Sequence, residues 1–66
     1  MEPIYPYIEV QLTGNDGNAF AVLAQIKKAM RKDPVARERI DEFMTEAISG
    51  DYNHLLQTCM KWVTVV

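Results

Sequence analysis

Leu12-Thr13-Gly14-Asn15-Asp16-Gly17-Asn18-Ala19-Phe20, residues 12–20, decides how this chain folds. Upstream of it, Ile8, Val10 and Leu12 alternate with Glu9, Gln11 and Thr13. That two-residue period is a half-buried strand beginning near Tyr7 and ending at Gly14. Asp16-Gly17 would suit a β-hairpin turn, but the residues after it do not suit a second strand. Ala19, Ala21, Ala24 and Ala29 are strong helix formers. Phe20, Leu23, Ile26 and Met30 recur at helical spacing and form the expected buried face. The stretch therefore reads as strand, turn, helix. Asp16 or Asn18 caps a helix running from about Asn18 to Lys32. Lys27, Lys28, Arg31 and Lys32 lie in its last turns, where cations complement the helix dipole.

Working outward, Pro3 and Pro6 keep the first residues extended. Asp33-Pro34 restarts the chain, with Asp as cap and Pro at the first helical position. The second helix is expected to bury Ile40, Phe43, Met44, Ala47 and Ile48, and to expose Asp41, Glu42 and Glu46. Gly50 is expected to end it as a left-handed residue. Asp51 then caps a third helix whose apolar stripe is Tyr52, Leu55, Leu56, Cys59 and Met60. Trp62 to Val66 are aromatic and β-branched and form a second strand. The order is β-α-α-α-β, an α+β fold in a single domain over 1–66. The two strands are expected to pair antiparallel, the commoner arrangement. Trp62 is expected to be packed under the helices or at a subunit interface.

Size bears on assembly. A chain of 66 residues buries only about 60% of its unfolded surface, and such a core supplies ~3–5 kcal/mol. Two strands do not make a stable sheet on their own. Cys59 is the single cysteine, so no disulfide can help. Cys59 and His54 cannot provide the four ligands of a structural zinc site. A homodimer or higher oligomer that completes the sheet is the expected solution.

A net charge of −2 argues against general nucleic-acid binding. No apolar run reaches the roughly 18 residues of a membrane span, and the first residues do not read as a signal peptide. The expected location is the cytoplasm, with no membrane association.

The two segments VQLTGNDGNAFAVLAQIKKAMRK (10–32) and EAISGDYNHLLQTCMKWV (46–63) resemble a group of small proteins encoded by bacteria and their phages. The shared features are the D-G-N-A-F turn, the S-G-D-Y turn and the C-terminal W-V. The resemblance implies a stand-alone domain from a phage or other mobile element. For such a protein it extends to the sequestering of a host signalling nucleotide. No residue roles carry over from it.

The chemistry-bearing residues do not assemble into a catalytic set. His54 and Cys59 are five apart on one helix, so they point about 140° apart and are separated by roughly 7.5 Å along the axis. Asp41, Glu42 and Glu46 belong to a solvated helix face. The turn at Asn15 to Asn18 lacks the ligand ladder of a calcium loop. No enzyme, metal or cofactor is expected.

Two turns stand out as places for an anion. Thr13, Gly14, Asn15, Asp16, Gly17 and Asn18 offer free amides at a helix start. Ser49, Gly50, Asp51 and Tyr52 repeat the pattern, with Tyr52 available to stack on a base. Both turns read first as plain helix caps, and an anion cradle is the second reading. Six of the seven basic residues lie between Lys27 and Arg39. Arg31 among them is assigned to the anion site; the cluster reads first as solvated helix faces, and otherwise as a rim that attracts anions or meets an acidic subunit surface. Two functions follow. One is a non-enzymatic oligomeric protein that holds a small anionic ligand, such as a nucleotide or nucleotide signal, at helix N-termini near a subunit interface. The other is a module that binds or inhibits a larger host protein.

Overall fold

A computed structural model describes residues 2–12 and 18–66. The strand β1 spans Tyr5–Val10, and α1 spans Ala19–Arg31. A 3-10 turn at Ala36–Arg39 leads into α2, Ile40–Ala47. Helix α3 covers Tyr52–Trp62 and passes directly into β2, Val63–Val65. The expected β-α-α-α-β order is present, and the fold is α+β.

The two strands pair parallel, not antiparallel. A parallel pair needs a long crossover, and the three helices between β1 and β2 provide one. The register is Tyr5 with Val63, Glu9 with Thr64 and Val10 with Val65. β1 therefore advances four residues where β2 advances one. Pro6 sits in that irregular stretch. It has no amide to donate, and its carbonyl accepts from Thr64 Oγ1 at 2.8 Å.

The core lies between this small sheet and the helices. Ile8, Val10 and Leu12 are buried, as their alternation requires, and Tyr5 joins them. Val22, Leu23, Ile26 and Met30 form the inner face of α1. Phe20 does not belong to it. It is 86% exposed, because the buried face is centred about 110° around the helix from it at 100° per residue. Ile48 and Met60, also expected inside, are mostly exposed.

Trp62 is the last residue of α3 instead of the first of the strand, and it is 1% exposed. Its ring meets Phe43 edge-on at 5.8 Å and Tyr5 at 6.1 Å between centroids. The Arg39 guanidinium lies 4.7 Å from its centroid. Its indole N–H donates to Glu46 Oε1 at 3.3 Å. The central aromatic thus ties the 3-10 turn, α2 and β1 to α3.

Two helix ends differ from expectation. The second helix does not begin at Pro34. Asp33 instead caps a turn, its Oδ2 accepting from the Ala36 amide at 3.0 Å, and regular α-helix starts only at Ile40. Gly50 is not a left-handed stop. Helix α2 closes through Ile48, whose amide donates to Met44 O. Gly50 is needed for space: a Cβ there would lie 2.8 Å from His54 Cγ.

Candidate functional site

Helix α1 starts where the sequence places it. Asn18 has extended backbone, and its Oδ1 accepts from the Ala21 amide at 3.1 Å. Asn18 is therefore a helix cap, its side-chain oxygen engaged with its own helix. The rest of the first proposed cradle, Thr13, Gly14, Asn15, Asp16 and Gly17, lies outside the described residues.

The second turn is also occupied by internal bonds. Asp51 Oδ1 accepts from the His54 amide at 2.9 Å. Ser49 Oγ donates to Glu46 O at 2.7 Å. His54 Nε2 lies 2.8 Å from the same carbonyl, which can only accept, so Nε2 carries the proton. Ser49 Oγ is 3.1 Å from Nε2, a separation that suits a nucleophile and its base. With Nε2 already donating and the hydroxyl directed at a carbonyl, the pair acts as a clasp on the end of α2. Tyr52 is half-buried at the start of α3.

Arg31 is not gathered to the first turn. It sits at the opposite end of α1, and thirteen residues of helix separate it from Asn18 by about 20 Å. Cys59 is fully buried, and burial pushes its thiol up to about 11. It is a core residue without thiolate character at neutral pH.

A concave feature of the described surface lies elsewhere. A groove of about 380 Å³ runs between β1 and α1. Glu9, Val10 and Gln11 form its strand side, and Gln25, Lys28 and Lys32 stand along its helix side. β2 covers only one edge of β1. The Val10 carbonyl accepts from the Val66 amide at 2.9 Å. In a parallel ladder both backbone groups of one residue face the same neighbour, so those of Glu9 face the open edge. A second depression of about 280 Å³ adjoins the groove, floored by Ala21 and Ala24 and sharing Gln25 and Lys28.

The described charges are unequally paired. Arg39 holds Glu42 through two hydrogen bonds, at 2.7 and 3.2 Å, and Lys61 holds Glu46 at 2.7 Å. Among the described residues Lys28 and Lys32 have no such carboxylate partner. Beyond Lys32, the Tyr7 hydroxyl donates to Asp33 Oδ2 at 2.7 Å and straps β1 to the turn after α1. That bond raises the Tyr7 pKa and lowers that of Asp33.

In the sequence the two turns stand out, and Lys28 and Lys32 belong there to a broad basic cluster. Their four-residue spacing on α1 was a usable signal. That β1 would leave its edge open beside them was not, because it depends on which strand β2 chooses to pair with and on which side.

No family model matches the chain, and neither a curated protein nor a solved structure does. Among the described residues, no helix is long and apolar enough to cross a membrane, and no group of three or more His, Cys, Asp or Glu side chains gathers as metal ligands.

Proposed function

We propose that this chain is a small non-enzymatic binding protein that holds an anionic partner in the groove between β1 and α1. The observation that carries the reading is the pair Lys28 and Lys32, two cations without a carboxylate partner among the described residues, lining a groove of about 380 Å³. Grooves of this size are within the range of ligand sites. Gln11 and Gln25 add neutral hydrogen-bonding groups along the same walls. The reading moves the anion from the helix N-termini to the helix side, because Asn18 and Asp51 already cap their own helices. A nucleotide or nucleotide signal is one ligand of this class. A protein partner bound through the same groove is the second reading, favoured by the open edge of β1.

Self-association belongs to the same proposal. A two-stranded sheet in a chain of 66 residues is short of the three strands that confer independent stability. Sedimentation over a range of concentrations tests it, and a species of 7.6 kDa at every concentration would reject it.

The binding reading is tested by a thermal-shift panel of inorganic phosphate, nucleotides, cyclic dinucleotides and acidic peptides. Wild type is compared with the Lys28→Ala/Lys32→Ala double variant. A ligand at 100 times its Kd stabilises the folded state by about 2.7 kcal/mol. An equal shift in wild type and the double variant rejects the groove as the anion site.

A further inference from the structure

We infer that the groove's occupant is an extended acidic segment of a partner protein, added as a third strand along β1, with two glutamate or aspartate side chains placed on Lys28 and Lys32. The inference rests on the proposed reading of the groove as an anion site, and it names the partner's chemistry.

Two features of the groove fit a strand better than a compact anion. The groove follows a strand whose outer edge has no strand partner among the described residues, with the Glu9 amide and carbonyl facing outward. An added strand satisfies both groups, as in other cases of peptide recognition by strand addition. Lys28 and Lys32 are four residues apart on α1, about 6 Å along the helix axis. Alternate residues of a strand are roughly 6.6–6.8 Å apart and point to the same side. Acids at positions i and i+2 of a strand laid along the groove therefore carry their charges at nearly the spacing of the two lysines. The hydrogen bond from Tyr7 to Asp33, 2.7 Å long, ties β1 to the turn after Lys32. Among the described residues Glu9 is the single acid on the groove's lining, and it opposes the same partner charges.

The test uses two labelled peptides of one composition, Thr-Val-Glu-Val-Glu-Val-Thr and Thr-Val-Glu-Val-Val-Glu-Thr, with fluorescence anisotropy as the readout. The first places its acids two apart on one side, the second three apart on opposite sides. The first is expected to bind at least tenfold tighter, and the binding to weaken with salt. Lys28→Glu/Lys32→Glu should reduce it at least tenfold. Glu9→Gln should preserve or strengthen it, because the amide donor remains. Glu9→Pro should weaken it, because the donor is lost at an edge position that tolerates proline. Circular dichroism confirms that each variant is folded, and hydrogen exchange on wild type should show the Glu9 amide protected by the first peptide.

Equal binding of the two peptides overturns the inference. So does failure of both to bind while phosphate or a nucleotide gives a shift that depends on Lys28 and Lys32. In that case the anion site stands and its occupant is a small molecule. A dimer that excludes the peptide and is lost in Glu9→Pro overturns it in favour of a second copy of this chain. Anion shifts that persist unchanged without the two lysines remove the underlying reading itself.

Discussion

Replacing Trp62 with alanine should bring the domain close to unfolding. The ring is 1% exposed and is shared by Phe43, Tyr5 and Arg39. Truncating a buried Trp costs about 3–5 kcal/mol, from lost transfer energy and from the cavity left behind. The upper half of that range applies here. The side chain joins α3 to α2, to the 3-10 turn and to β1, so no single element can move in to fill the space. A domain of this size is stable by about 3–10 kcal/mol, at roughly 0.05–0.15 kcal/mol per residue. The substitution removes a large part of that margin. Trp62→Phe separates the contributions. It keeps most of the aromatic packing and removes the hydrogen bond to Glu46 Oε1, a loss of about 0.5–1.5 kcal/mol. Urea titration followed by far-ultraviolet circular dichroism reads both variants on one scale. Trp62 is the single tryptophan, so a blue-shifted emission is expected in the wild type and provides an independent report of burial. If Trp62→Ala unfolds within about 0.5 kcal/mol of wild type, the placement of this ring at the centre of the core is wrong.

Gly50→Ala should destabilise by about 1–3 kcal/mol through overpacking, since the new methyl would meet His54 Cγ at 2.8 Å. Adding His54→Ala should recover part of that loss, a non-additivity that a double-mutant cycle measures. Phe20→Ser should leave the urea midpoint nearly unchanged, within about 0.5 kcal/mol, because the side chain is 86% exposed. A large loss there would return Phe20 to the core. Acid stability should respond to Tyr7→Phe. The Tyr7 hydroxyl is the largest cause of the lowered Asp33 pKa, so Asp33 contributes stability above its unfolded value near 3.9 and loses it as pH falls through the lower folded value. The variant should flatten the pH dependence in that window. The raised pKa of Tyr7 works in the opposite direction, its contribution fading as pH rises above about 10.

Much of the chain's local architecture can be read from its residues, and the reasons are local. Asn18 and Asp51 cap their helices because a short side-chain oxygen reaches the amide three residues on. The alternation of Ile8, Val10 and Leu12 buries one side of β1, and Cys59 lies inside because it falls on the apolar stripe of α3. These patterns repeat within one or two turns of chain, so one segment is enough to specify them.

What failed to show in the sequence depends on how segments meet. Strand direction departs from the general preference for antiparallel pairing because the three helices return the chain to the same end of the sheet. Phe20 was assigned to the core because helical spacing identifies a face but not its centre. The neighbours of α1 chose the face of Val22, Leu23, Ile26 and Met30. Gly50 was read as a backbone device, whereas its role is to admit the ring of His54, four residues away on the next helix. The groove itself belongs wholly to tertiary structure. Lys28 and Lys32 share a side of α1 by sequence, but they line a site only because β2 pairs with one edge of β1 and leaves the other open beside them. A pairing choice made between residues more than fifty positions apart leaves no local trace in the chain.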